Sequence, residues 1–279
     1  MKRINSNIPP VSAFKRFFNW KDSIGSLSTY VFRTVLVVAF LMVSCNNENA
    51  PDCLQNAGDI TRITVDLPPF QNITVFERLN LVLKQGDTQK VEIASGEWLI
   101  NEISAEVVDG RLLLRNNNGC NLFRAYGLST VYVTSPNIAE VRSSTGLTIA
   151  SDGVLAYPNL RLVSESFTDP SSETTSGTFA LEVDSDNLNI FANGIAYFEL
   201  VGNTQQLEVF VAAGDTRVEA AALLAEDVIV NHRGTNSIVV RPQESISGII
   251  RGYGDVISIN RPDSIAIQET FEGRLIFKD

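Results

Sequence analysis

The chain has 279 residues and is poor in the groups that carry most enzymatic chemistry, with a single histidine, His232, and three cysteines, Cys45, Cys53 and Cys120. The imidazole lies between Asn231 and Arg233, with no carboxylate beside it in sequence to orient it, so a Ser-His-Asp arrangement finds no support. Zinc-type Cys/His spacing is missing, and no glycine loop leads into a helix to cradle a phosphate. No metal and no cofactor are expected, and the chain reads as a non-enzyme. Helical periodicity is scarce too. The one helix-prone run, residues 220–225, is short and flanked by β-branched segments, so it reads as the side of a strand layer.

Long apolar runs are also lacking. Residues 35–43 form an apolar run of nine, well short of the about 20 that a membrane-spanning helix needs. Lys2, Arg3, Lys15, Arg16, Lys21 and Arg33 precede or open it, and Ser44-Cys45 follows. A basic leader, a short apolar core and a small residue at the cut make a secretory signal. With cysteine at its end, Leu41-Met-Val-Ser-Cys45 resembles the lipobox of bacterial lipoproteins. That resemblance implies that residues 1–44 are a lipoprotein signal peptide and that Cys45 becomes the lipidated first residue. Residues 45–59 then read as a polar tether. No aspartate directly follows Cys45, so the resemblance implies outer-membrane delivery, with the membrane held through the N-terminal lipid.

Positive charge is the scarcer sign. The chain carries 22 Lys+Arg against 32 Asp+Glu, and without its leader sixteen basic residues face thirty-one acidic ones, a net charge near −15. Such a body opposes nucleic acid and anionic lipid as partners. With Cys45 committed to lipid, Cys53 and Cys120 remain as an even pair in an oxidising compartment. A disulfide between them closes a loop of 67 residues, for which loop closure gives about 4 kcal/mol. The bridge is the expected state, and two buried thiols are the alternative.

What the chain has in quantity is short β-branched segments punctuated by glycine. Gly194, Gly214, Gly234 and Gly254 recur at intervals of twenty. Gly146 continues the column backwards through Ser166, and the eight-residue surplus before Gly194 coincides with a polar loop insertion at 168–177. A fixed period of this size predicts a parallel β-helix with about 20 residues per rung. Glycine at each rung corner is expected to supply φ > 0. The body is taken as 60–279, with a hairpin-rich N-terminal cap at 60–130 and regular rungs at 131–279. Asp109-Gly110 and Asn118-Gly119 mark turns within the cap.

Phe76-Glu-Arg-Leu-Asn-Leu-Val-Leu-Lys-Gln-Gly86, Val91-Glu-Ile93 and Gly110-Arg-Leu-Leu-Leu114 resemble the opening of the bacterial DUF2807 family (putative auto-transporter adhesin, head GIN domain). The family's repeated Ser-Gly-Ser-Gly-Asp step survives in worn form at Ser143-Ser-Thr-Gly146, Ala212-Ala-Gly-Asp215 and Gly252-Tyr-Gly-Asp255. The resemblance implies a right-handed β-helix and a cell-envelope setting.

Arg217, His232, Arg233 and Arg251 approach one another in the stacked register and form a candidate binding strip for anionic glycans or a partner's carboxylates. The plainer reading pairs these arginines with acidic residues on the next rung. Asp215 and Asp255 share a column two rungs apart, too far to hold one calcium ion, and read as turn caps. The expected function is non-catalytic, adhesin-like binding to a cell-surface glycan or an envelope protein. The alternatives are a polysaccharide-binding or polysaccharide-degrading β-helix protein and a structural or accessory envelope component.

Two outcomes test the N-terminal reading. Cys45→Ala is expected to abolish palmitate incorporation into the full-length protein, and labelling that persists rules out the anchor. Mass spectrometry of the unreduced protein, with thiols alkylated, is expected to find a peptide linked through Cys53 and Cys120. Alkylation of both thiols counts against the bridge.

Overall fold

Alternation of apolar and polar residues with period two sets the longest strands. In β11 (Thr178–Ala192), Phe179, Leu181, Val183, Leu188, Ile190 and Ala192 turn inward and are buried. The residues between them face outward, except Ser185, which is buried and hydrogen-bonded to Thr204. The same alternation runs through β12 (Tyr197–Val211) and, broken by bulges, through β13 (Arg217–His232) and β14 (Ile238–Ile250), where Ile238, Val239 and Val240 are all buried. These four strands pair side by side in parallel. Inward residues therefore pile onto their counterparts, as Phe179 does on Phe198 with ring centroids 4.7 Å apart. Full burial of one such ring contributes roughly 1.5–3 kcal/mol.

The computed structural model describes residues 31–35, 56–119 and 127–278. The chain divides into two units, Met1–Asn46 and Asn47–Asp279. Of the first, residues 31–35 are described and are helical. Among the described residues no helix is long and apolar enough to cross a membrane. Cys45, Cys53 and Cys120, the proposed lipidation site and disulfide, lie outside the described residues.

In the second unit two ladders converge on the long strands. The first half of β11 pairs with β9 (Thr148–Leu155) and its second half with β10 (Asn159–Ser164). Beyond β9 come β3 (Asn80–Gln85), β7 (Thr130–Ser135), β4 (Lys90–Gly96) and β1 (Ile60–Val65). Beyond β10 come β8 (Glu140–Ser143), β2 (Asn72–Val75), β6 (Arg111–Asn116) and β5 (Ile103–Val108). On the far side of β14 lie β15 (Val256–Ser258), followed by β17 (Leu275–Phe277), and β16 (Ser264–Glu269). Buried side chains from β2 to β15 form one continuous core, and half-buried Val65 of β1, Ile267 of β16 and Leu275 of β17 pack against it.

The all-β class stands, but the expected right-handed parallel β-helix with about 20 residues per rung is corrected. Among the described residues, seventeen strands make one mixed, nearly closed, barrel-like sheet. Pairs β1–β4, β4–β7 and β5–β6 are antiparallel. In the first half the chain does not climb one coil at a time, because β2 lies between β6 and β8, and β3 between β7 and β9. Among consecutive strands before residue 130, only β5 and β6 pair as a hairpin, through Asp109-Gly110. Spacing also varies in the second half. Thr178 pairs with Tyr197, an offset of 19, whereas Val201 pairs with Ala222, an offset of 21, and Leu224 with Arg241, an offset of 17. Bulges in β13 and β14 absorb the differences. The twenty-residue glycine interval thus reports where turns stack, not a uniform coil.

Between β10 and β11, residues 165–177 contain no strand. Their base is clamped by a buried ion pair between Arg142 Nη1 and Glu165 Oε1 at 2.6 Å, with side chains 9% and 0% exposed. Glu165 Oε2 also accepts the backbone N–H groups of Phe167 (2.7 Å) and Thr168 (3.0 Å), and Oε1 accepts the Thr168 hydroxyl. Burial pushes the Glu165 carboxyl up, but the Thr168 and Arg142 bonds and the two backbone N–H groups together hold it below its ordinary value. Since the folded value is the lower one, this stabilisation is fully present above the unfolded value near 4.5 and fades as pH falls through the folded value. Glu165→Gln removes the nearer of the two counter-charges of buried Arg142 and leaves it Glu140 at 3.9 Å, so urea denaturation at pH 7 is expected to show a loss of about 2 kcal/mol. The deficit is expected to shrink below pH 4.5.

Candidate functional site

The turns that join the two halves of each layer lie over one another from residue 193 onward and form a seam. Their backbones are bonded directly. Asp215 N–H donates to Gly194 O (2.8 Å), Thr235 N–H to Gly214 O (2.9 Å), Tyr253 N–H to Gly234 O (3.1 Å) and Gly273 N–H to Gly252 O (3.0 Å). Of the five glycines singled out from the sequence, only Gly214 has positive φ, at 87°. The expected reason for glycine is therefore corrected at the others. At Gly194 an added Cβ lands on Thr175, and at Gly254 it lands on the Asn236 carbonyl and the His232 ring. Gly234 is less crowded, with Val211 Cγ1 at 2.9 Å. Gly146 stands in a looser turn, where the nearest atom to such a Cβ is Ser176 Oγ at 3.6 Å.

His232 is enclosed by this seam and is fully buried. Its Nε2 lies 2.9 Å from Asn236 O, and Gly234 N–H donates to Nδ1 at 3.4 Å. Those roles fit the neutral ring protonated at Nε2. Burial lowers its pKa, outweighing the opposing pull of the Asn236 carbonyl and Asp255. His232 fixes the turn from within.

The remaining strip residues divide into two places. Arg217, at the start of β13, pairs with Glu219 at 3.2 Å and lies over the Tyr197 ring at 5.6 Å. Arg233 and Arg251 flank the other side of the turns. Because His232 pairs with Ile250, the two arginines occupy adjacent layers, which are spaced about 4.8 Å. Both are exposed, and neither has an ion-pair partner among the described residues. The structure thus brings Arg233 and Arg251 together, with Arg217 across the turn and His232 inside it.

Beside the pair stand two exposed aromatic rings. Tyr253 is 64% exposed and meets Phe271 edge to face at 4.9 Å. Phe271 was not among the residues singled out from the sequence, although Gly273, two residues on, follows Gly254 by nineteen and marks the next turn. Asp215 accepts the Thr235 hydroxyl at 2.7 Å, and Asp255 accepts Arg274 N–H at 2.9 Å, so both carboxylates serve the turns. The seam therefore offers two unpaired guanidinium groups and an aromatic edge on an acidic body. Such a group can bind carboxylate or sulfate bidentately while the rings contact an apolar sugar face. Among the described residues no group of three His, Cys, Asp or Glu side chains could hold a metal ion. A hollow of about 580 Å³ opens elsewhere, between Phe70, Asn72, Gln89 and Asn137. It contains none of the strip residues.

Comparison with solved structures finds the same fold in proteins of low identity. A putative adhesin from Bacteroides fragilis is 18% identical with a TM-score of 0.69, covering 78% of this chain and 97% of that one. A putative lipid binding protein from Parabacteroides distasonis is 15% identical with a TM-score of 0.55, covering 78% and 97%. A putative adhesin from Parabacteroides merdae is 15% identical with a TM-score of 0.53, covering 79% and 96%. No curated protein matches the sequence. The family model for the putative auto-transporter adhesin, head GIN domain, matches residues 69–262, and the chain belongs to that family, DUF2807.

Proposed function

We propose that this protein is a lipid-anchored component of the cell envelope whose all-β body is a non-catalytic, adhesin-like binding domain, and that it binds anionic glycan along the seam. Membership of a family described as putative auto-transporter adhesins supports the adhesin reading. The signal-like leader and Cys45 support delivery to the outer membrane. The observation that carries the ligand class is the exposed Arg233–Arg251 pair beside Tyr253 and Phe271. Like charges in adjacent layers repel, and an anion placed between them relieves that repulsion. The net negative charge of the body opposes binding of a polyanion away from such paired cations, which favours this strip.

Full-length protein is expected to bind polygalacturonate more tightly than neutral dextran, with affinity falling as salt rises. The double substitution Arg233→Ala, Arg251→Ala is expected to weaken polygalacturonate binding at least about tenfold, or 1.4 kcal/mol. Tyr253→Ala is expected to weaken it less. Equal binding by wild-type and double-variant protein sinks the glycan site. Cleavage of the polymer favours a degrading enzyme instead.

A further inference from the structure

The hollow between Phe70, Asn72, Gln89 and Asn137 is built where three strands start level with one another. Asn72 of β2 pairs with Arg111 of β6 on one side and with Glu140 of β8 on the other. The segments leading into these strands therefore lie side by side. Pro69 and Pro136 have no N–H to donate, so the ladder does not continue through them, and a space of about 580 Å³ is left. Small-molecule sites run from about 300 to 1,000 Å³. The walls are held in place. Gln89 accepts from Phe70 N–H at 3.2 Å and donates to Phe70 O at 2.8 Å and to Ser135 Oγ at 3.4 Å. Ser135 is fully buried, and its hydroxyl donates to Asn137 O at 3.0 Å. Its carbonyl accepts the Tyr157 hydroxyl at 3.3 Å. Main-chain groups at the hollow are committed as well. Gln71 N–H and Asn72 N–H donate to Gly110 O at 3.1 and 3.4 Å, and Ala139 N–H donates to Gln71 O at 2.7 Å. The polar side chains are not. Gln71, Asn72, Asp109 and Asn137 line the hollow with no side-chain hydrogen bond or ion pair among the described residues. Asn137 Oδ1 is shielded from water yet accepts no hydrogen bond, whereas buried polar atoms are ordinarily paired. The end torsion of a carboxamide is soft, so a modest turn brings this oxygen or its nitrogen into the hollow.

We infer that this hollow is a second binding site, for a neutral sugar of one or two rings. Three carboxamides offer donors and acceptors together, which matches hydroxyl groups that do both. Phe70 and the two prolines supply an apolar surface for the C–H face of a ring. Charge argues against other ligands. No lysine or arginine lines the hollow, and Arg111, which opens β6, is committed to Glu140 at 2.9 Å. Asp109 repels an anion, so the anionic glycan proposed for the seam is not the ligand here. A peptide that adds a strand needs free main-chain groups, and those of Gln71, Asn72 and Ala139 are already bonded. The site shares no residue with the Arg233–Arg251 strip and stands independently of it.

Full-length protein in a sugar-free detergent is titrated calorimetrically with glucose, galactose, mannose, maltose and lactose. Saturable binding of at least one is expected, unchanged as salt rises, because a neutral ligand has no charge to screen. The double substitution Asn72→Ala, Asn137→Ala is expected to weaken it at least about tenfold with circular dichroism unchanged. Gln71→Trp, at an exposed position, is expected to fill the hollow and abolish binding. Arg233→Ala, Arg251→Ala is expected to leave sugar binding as in wild type. Failure of all five sugars to bind overturns the inference, as does tetraalanine bound as tightly as the sugar. Binding that Asn72→Ala, Asn137→Ala leaves intact, or that the arginine pair abolishes, overturns it too. If the alanine variant fails to fold, Gln71→Trp decides, and undiminished binding by that variant overturns the inference.

Discussion

Main-chain hydrogen bonding between successive layers is the constraint on which the rest depends. Strands β11 to β14 are each thirteen to sixteen residues long and pair with their neighbours along most of that length. The turns between them must follow at the same spacing, so a carbonyl of one turn comes against the backbone of the next. At Gly194 and Gly254 there is no room for a side chain, whatever the backbone angles. The seam is narrow because the ladder is continuous, and outward side chains project from the residues beside the glycines. Arg233, Arg251 and Tyr253 occupy such places, with their N–H groups committed to the ladder and their side chains in solvent.

Where the layers are interrupted, polar groups replace strand pairing. The segment at 165–177 leaves the sheet after Ser164, and its Glu165 carboxylate meets the Arg142 guanidinium of β8 in the interior instead of at the surface. A buried charge is tolerated there because the Glu165 oxygens accept from Arg142, from the Thr168 hydroxyl and from two backbone N–H groups. The insertion is therefore fastened at its root while Phe167 stands 66% exposed.

Much of the local structure was legible in the sequence. Period-two alternation marks the strands, and the surplus before Gly194 marks the segment that leaves the sheet. Strand partners were not legible, because apolar alternation specifies which side faces inward but not which strand lies alongside. β3 is bounded by β7 and β9, about fifty and seventy residues on, and no local pattern encodes that choice. The glycine period was visible, but its cause was misread as backbone angle where close approach decides it. In the candidate strip, Arg217 and Glu219 are two apart on one strand and share a face, so their pairing could have been read from spacing alone. The inward turn of His232 could have been read from its step after Val228 and Val230 on the same strand.

The enclosed imidazole has a bearing on how the strip responds to its surroundings. Burial holds the pKa of the chain's one imidazole below its ordinary value, so the neutral ring between Asn236 and Gly234 adds no charge to the strip at neutral pH. Guanidinium groups keep their charge throughout the mildly acidic to neutral range. The charge on Arg233 and Arg251 is thus constant through modest acidification, and in the proposed glycan site the screening by salt is what varies.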